Sequence, residues 1–250
     1  MIREARVTQT VILAAGSGSR LAPTRGDVPK PLMTVCGVPL IAHALSHAAA
    51  AGCEEALIVL GYEATRVRAA IDTMASPMRM RFLYSPDHTA PNGVSLLAAE
   101  SGADPIFYLQ MVDHLFARPA LLRLASQSLT SLEAGRVLVD SCPSADIDLD
   151  DATKVTLSDD RVTAIGKGLA LWDAIDAGCF VLTHAVFDAL REVRPPEGVT
   201  VSAGMRRLVQ QGRLGSVDIR GAVWIDVDTP TDRERAERLL GHRLSVPERG

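Results

Sequence analysis

The chain has 250 residues, of which 47% are hydrophobic and 22% charged, enough for one large α/β domain with a substantial core. A net charge of -4 argues against a nucleic-acid surface, and no apolar run approaches the roughly 18–20 residues of a membrane span. The polar start, Met1–Thr10, is not a secretory signal, and the four cysteines (Cys36, Cys53, Cys142, Cys179) lack the paired spacing of a zinc site, so the expectation is a cytoplasmic protein with reduced thiols.

In chain order, Val7–Ala15 is a β-branched apolar run that stops at a glycine–serine loop. Such a short, continuously apolar segment predicts a strand in the centre of a parallel sheet covered on both faces. Val38–Ala51 has helical spacing and ends at Gly52, a plausible C-cap. Strands are predicted at Glu55–Leu60, Met80–Tyr84 and Pro105–Met111, with helices at Glu63–Met74 and Val94–Glu100. This alternation predicts βαβ units with right-handed crossovers. After about residue 135 the pattern changes to short strands at Arg136–Asp140, Lys154–Ser158, Arg161–Ile165 and Ala177–Leu182, with a hairpin turn at 158–161. Helices return at His184–Arg191 and Ser202–Gly212, late strands at Val217–Ile219 and Val223–Val227, and a charged helix at Thr231–Leu240 behind Thr229-Pro230. The fold class predicted is α/β: a Rossmann-like, mixed but mainly parallel sheet with helices on both faces and a small β-rich insertion. The organisation predicted is a single domain over 1–240, with halves at about 7–135 and 136–240, and a tail over 241–250.

The most informative string is Leu13-Ala14-Ala15-Gly16-Ser17-Gly18-Ser19-Arg20-Leu21, followed by Pro29-Lys30-Pro31-Leu32. It starts at a strand end, where open α/β sheets bind ligands. Glycine amides can bind phosphate oxygens or a base edge, and Arg20 and Lys30 add charge for a triphosphate. The third glycine of a dinucleotide fingerprint is missing, as is the Gly-Lys-Ser/Thr of a Walker loop.

These residues resemble the nucleotidyltransferases that make nucleotide-sugars and related CDP-alcohols, whose pattern is Leu-Ala-Ala-Gly-x-Gly-x-Arg-Leu and then Pro-Lys-Pro. The resemblance extends over roughly residues 7–240. It implies that the first half binds the nucleotide, with residues 13–15 leading into Gly16, Ser17, Gly18 and Arg20 around the phosphates, and that Lys30 helps bind and activate them. The second half then binds the acceptor.

Asp113 follows an apolar strand, and Asp226 and Asp228 follow Trp224. Strand-end aspartates are ordinarily turn or cap residues. Two of them meeting from distant strands would suit Mg²⁺, which takes one or two carboxylates plus phosphate oxygens, and the resemblance implies that role here. Asp226 has the better spacing from Trp224, while Asp228 shares its face of an extended strand; both stay open as ligands. Asn92, Gly93 and Ser95 open a helix that either caps itself or faces the nucleotide. CTP-using relatives imply the second, with Asp113 also on the nucleotide. For the acceptor, the resemblance implies Lys167 at the phosphate, Lys154 as a second lysine, Asp176 on hydroxyls, and Gly178 and His114 nearby.

The strings Asp-Ala-Thr-Lys-Val, Ile-Gly-Lys, Asp-Ala-Ile-Asp-x-Gly and Met-Val-Asp-His look most like the CTP:inositol-1-phosphate cytidylyltransferases. The implied partners are CTP and a small phosphorylated polyol or sugar. Rival readings are a sugar-1-phosphate nucleotidyltransferase, a phosphocholine or aminophosphonate cytidylyltransferase, or a non-catalytic nucleotide-binding domain. The acidic strip Asp150, Asp151, Asp173 and Asp176 favours a polyol. A choline would call for an aromatic cage, and only 4% of residues are aromatic.

Overall fold

The apolar run after Thr8 forms strand β1 (Gln9–Ala14), buried over its whole length. Alternate side chains enter opposite faces: Val11 and Leu13 join one core, Ile12 and Ala14 the other. The structure, a computed structural model, describes residues 6–21, 28–194 and 198–244. After β1 come β2 (Thr34–Val35), β3 (Val38–Pro39), α1 (Leu40–Ala50), β4 (Glu55–Leu60), α2 (Ala64–Ile71), β5 (Arg79–Tyr84) and α3 (Asn92–Ala98). Then follow β6 (Ile106–Met111), β7 (His114–Phe116), α4 (Leu121–Ala125), β8 (Gly135–Asp140), β9 (Lys154–Ser158), β10 (Arg161–Gly166) and β11 (Ala174–Thr183). The chain continues through α5 (Ala185–Arg191), α6 (Val201–Gln210), β12 (Leu214–Asp218), β13 (Trp224–Asp226) and α7 (Pro230–Leu244).

Nine strands form one sheet in the order β5-β4-β1-β6-β11-β8-β12-β10-β9. The first four are parallel, and β12 is parallel to β8; the remaining pairings are antiparallel. The start of β11 also pairs with β9, with Ala174 opposite Val155 and Ile175 opposite Lys154, so β11, β8, β12, β10 and β9 close into a ring. Helices α1, α2, α4 and α7 supply one core (Leu40, Val67, Leu121, Ala236), and α3, α5 and α6 supply the other (Leu96, Phe187, Met205). Among the described residues no helix is long and apolar enough to cross a membrane.

Several boundaries differ from expectation for identifiable reasons. Val38 and Pro39 are not helical: they pair with β2 across a Cys36-Gly37 turn whose φ values are both positive (52° and 77°), as a two-residue hairpin of opposite hand requires. The first helix therefore begins at Leu40, behind Pro39. Helix α3 starts two residues early, at Asn92, because Pro91 sits at its N-cap. The side chain of Asn92 serves another helix instead, its Oδ1 accepting from the amide of Val201 at 2.9 Å. Strand β11 starts at Ala174, three residues before the expected Ala177, and takes in the Ala-Ile-Asp that hydrophobicity alone left out. Helix α7 carries on to Leu244, so the expected tail begins later, and residues 245–250 lie outside the described residues. Strand β7 and helix α4 were not expected from the sequence.

Strand β13 stands outside the main sheet and pairs antiparallel with β7, which sets Asp226 opposite His114. Buried Asp140, the last residue of β8, fixes this ribbon. Its Oδ1 accepts from the amides of Cys142 (3.0 Å) and Gly221 (2.8 Å), and its Oδ2 from the indole of Trp224 (2.9 Å). The indole in turn stacks between the rings of His114 (centroids 5.8 Å apart) and Phe116 (6.0 Å). Replacing Asp140 by Asn trades one acceptor for an amine facing a donor. The expected loss is about 1–3 kcal/mol, the usual result of stranding a buried hydrogen-bonding group, and a chemical-denaturation curve reads it. An unchanged midpoint would mean the three donors have other acceptors.

Candidate active site

The loop after β1 crosses the carboxyl ends of the parallel strands. Residues 13–15 are buried, and the Ala15 carbonyl accepts from the amide of Tyr62 beyond β4 at 2.9 Å. They therefore act through backbone and packing, while Gly16 lies exposed. Among the described residues the amides of Gly16, Ser17 and Gly18 donate to no protein acceptor, which leaves three donors for an anion. Gly18 has φ +61°, and a Cβ there would lie 2.7 Å from the Cβ of Lys30. The glycine thus lets the loop lie directly on the lysine stem.

Lys30 begins a short 3-10 turn behind Pro29. Its side chain is 8% exposed, and its ammonium donates to Asp113 Oδ2 and Asp228 Oδ1, each at 2.5 Å. Arg20 donates to the other oxygen of Asp228 at 2.5 Å and to Asp151 at 3.2 Å. Asp151 also pairs with Lys167. His114 Nδ1 lies 2.9 Å from Asp113 Oδ1 and 4.0 Å from Asp226 Oδ1. Gly178, at φ +72°, makes room for this ring, since a Cβ there would fall 2.2 Å from His114 Cδ2. Its amide donates to Asp176 Oδ1 at 2.7 Å.

The two late aspartates separate clearly. Strand β13 ends at Asp226, and Asp228 comes from the following turn instead of sharing its face. A capping box at α7 holds that turn: Asp232 Oδ2 accepts from the amide of Thr229 at 2.8 Å and that of Asp228 at 3.3 Å, while Thr229 Oγ1 accepts from the Asp232 amide at 3.2 Å. Asp228 serves the two cations, whereas Asp226 groups with Asp113 and His114, whose ligand atoms all lie within 4.8 Å of one another. Asp226 Oδ1 is sealed from solvent and has no hydrogen-bond partner among the described residues, although the side chain as a whole is 40% exposed. A sealed, unpaired carboxylate oxygen beside a second carboxylate fits a hard divalent cation such as Mg²⁺.

Protonation follows this layout. Burial pushes Lys30 toward deprotonation, but Asp113, Asp228 and Asp226 outweigh it, and the ammonium stays charged above its ordinary range. Burial would raise Asp113, yet Lys30 and His114 hold it well below the usual carboxylate range. Asp226 is pushed up to about 7 by burial, then by Asp113 and Asp228. Burial lowers His114, but Asp226, Asp113 and Asp176 raise it further, to about 9. Burial lifts Asp176 to about 6.

Beside this cluster lies a cavity of about 520 Å³, lined in part by Arg20, Asn92, His114, Lys167, Asp176, Gly178, Asp226 and Asp228. Arg235, from the second turn of α7, also lines it and was not expected from the sequence; its residue type gave no signal in a charged helix. Lys154 does not line it. Its ammonium donates to the carbonyls of Leu149 (2.7 Å) and Lys167 (3.1 Å), so it braces the wall. Asp173 is likewise engaged elsewhere, accepting from the Leu157 amide at 2.7 Å. Gly93 and Ser95 are buried; a Cβ on Gly93 would meet the Val199 carbonyl at 2.5 Å, and the Ser95 hydroxyl bonds to Ser85 at 3.1 Å. Their placement is a packing one.

A free-amide loop, a buried lysine and a carboxylate cluster at the carboxyl ends of parallel strands make up the layout of a nucleotidyltransferase. The sequence profile of the MobA-like NTP transferase domain matches residues 10–144, and the chain belongs to that family. It is 32% identical over 234 residues to a "Bifunctional IPC transferase and DIPP synthase" of Rubrobacter xylanophilus, covering 92% of this chain and 51% of the relative. To the protein of that name from Archaeoglobus fulgidus it is 32% identical over 238 residues, covering 94% and 44%. The chain thus spans about half the length of the curated relatives it matches. Among solved structures, the inositol-1-phosphate CTP transferase from T. maritima has the same fold, with a TM-score of 0.85 at 22% identity, covering 98% of this chain and 99% of the other.

The raised Asp226 yields a signed prediction. The folded protein binds this proton more tightly than the unfolded chain, so ionising Asp226 opposes folding once pH climbs from about 4 through about 7. In EDTA, Asp226→Asn should therefore raise the melting temperature at pH 8 and have little effect at pH 4. A variant no more stable than the parent at pH 8 would refute the assignment.

Proposed function

We propose that this chain is a magnesium-dependent cytidylyltransferase that couples CTP to inositol 1-phosphate, giving CDP-inositol and pyrophosphate. The observation that supports it best is the cavity itself. Three cations (Arg20, Lys167, Arg235) and the carboxyl of Asp176 share one space directly beside Asp113 and Asp226. Phosphate and hydroxyl recognition thus adjoin the nucleotide loop. The relatives' printed functions point the same way, and the few aromatic residues disfavour a quaternary ammonium acceptor.

In this reading an acceptor phosphate oxygen attacks the α-phosphorus of CTP in line. One P–O bond forms as the bond to the bridging oxygen breaks, and pyrophosphate leaves with the electron pair. The nucleophile is already anionic, so no side chain has to remove a proton, and catalysis comes from positioning and charge neutralisation. The amides of Gly16, Ser17 and Gly18 hold the triphosphate, and Arg20 turns toward the departing pyrophosphate. Lys30 keeps Asp113 and Asp228 in place and limits the local negative charge as the phosphates arrive. Asp113 and Asp226 would hold Mg²⁺, whose contribution is charge neutralisation at phosphate oxygens. Lys167 and Arg235 orient the acceptor phosphate, and Asp176 accepts from a ring hydroxyl.

Pyrophosphate release across four nucleoside triphosphates, with inositol 1-phosphate, glucose 1-phosphate and phosphocholine as acceptors, tests the assignment. Turnover confined to CTP with inositol 1-phosphate is expected, and release with a sugar 1-phosphate instead would replace the acceptor. A second expectation concerns Asp113→Asn, which keeps the shape around Lys30 and leaves its Asp228 partner. Turnover should fall by about a hundredfold or more, the scale of losing a preorganised charged group, while the protein stays folded by circular dichroism. Near-parental turnover would remove Asp113 from the site.

A further inference from the structure

Six side chains of alternating charge run unbroken through the site: Lys167, Asp151, Arg20, Asp228, Lys30 and Asp113. Exposure divides this chain in two. Lys30, Asp228 and Asp113 are 8%, 20% and 21% exposed, whereas Asp151, Lys167 and Arg20 are 48%, 57% and 58% exposed. Pairs of the second kind are weak and exchange readily in water, while pairs of the first kind are fixed.

Asp151 sits at the exchangeable end. One of its oxygens meets the ammonium of Lys167 and the other the guanidinium of Arg20, so a single carboxylate binds a cation from each substrate side. The bond to Lys167, and then that to Arg20, keeps the acid ionised below its ordinary range. Lys154 secures the arrangement from behind by joining the Leu149 carbonyl, next to the Asp151 loop, to that of Lys167. A carboxylate with two oxygens on two cations imitates the oxygens of a bound phosphate.

We propose that Asp151 is a positioning residue that stands in for substrate phosphate: it holds Arg20 and Lys167 beside the cavity and yields them when phosphates arrive. The proposal rests on the transferase reading for its purpose but not for its test. An anion that takes Arg20 or Lys167 has to compete with Asp151, so small free anions, including the pyrophosphate product, bind less well than they would to unpaired cations. A pair of substrates that captures both cations together overcomes the competition.

The test is calorimetric titration of inorganic pyrophosphate into the full chain in EDTA. For Asp151→Asn the affinity should rise roughly three- to tenfold, the range open to exposed charge pairs. Asp151→Glu, which can still reach both cations, should bind like the parent, and Lys167→Ala should bind more weakly. In turnover assays Asp151→Asn should show lower KM values for both substrates, no gain in kcat, and tighter inhibition by pyrophosphate. Unchanged or weaker pyrophosphate binding by Asp151→Asn overturns the proposal. A raised acceptor KM with unchanged pyrophosphate binding also overturns it and makes Asp151 a direct ligand of acceptor hydroxyls. Because the titration needs no turnover, it still decides the matter if CTP and inositol 1-phosphate prove to be the wrong substrates.

Discussion

The site depends on one buried ammonium group. Lys30 has almost no access to water, and a lysine so placed stays charged only if carboxylates replace its hydration. Asp113 and Asp228 do so, one from the end of β6 and the other from the turn before α7. A single Nζ atom therefore ties together three segments that are far apart in the chain. The glycine loop joins them because Gly18 has no side chain to hold it off the lysine stem. The glycine loop and the carboxylate cluster are thus built on the same contact.

Around this contact the charges do not balance, and the imbalance is informative. Lys30 and Arg20 share Asp228, and Lys30 and His114 share Asp113, but among the described residues one oxygen of Asp226 has no donor. The imidazole beside it responds by holding its proton to about pH 9. The ribbon that carries both groups is held by the Asp140–Trp224 bond and by ring stacking, which fixes Asp226 opposite His114.

The parallel half of the fold was legible in the sequence because buried strands leave long apolar runs. Val11 to Ala14 and Ala56 to Leu60 could hardly be anything else. The glycine string with Arg20 and Lys30 stands out in the sequence as a motif, and the fold gathers Gly18 against the Lys30 stem and both cations onto Asp228. What escaped notice was set by tertiary partners. The carboxylates of Asp226 and Asp228 look equivalent at a spacing of two, and only the end of β13 and the Asp232 cap assign them different partners. Lys154 reads as a ligand until its two carbonyl acceptors are seen. Arg235 belongs to a helix whose charges all resemble solvated ones, and nothing local marks it as facing the cavity.

The closure of β9 onto β11 gives this end of the sheet a frame of its own. Asp151 and Lys167 sit on the segments entering β9 and leaving β10, and both strands belong to the closed ring, not to the parallel half. The ring holds this wall by its own hydrogen bonds, and the wall meets the parallel half through charge: Asp151 pairs with Arg20, Arg20 with Asp228, and Asp228 with Lys30. The two parts share one sheet through the pairing of β6 with β11 and are joined again electrically at Arg20. A substitution at Asp151 or Lys167 therefore reaches Lys30 through shared carboxylates and not only through the backbone of the sheet.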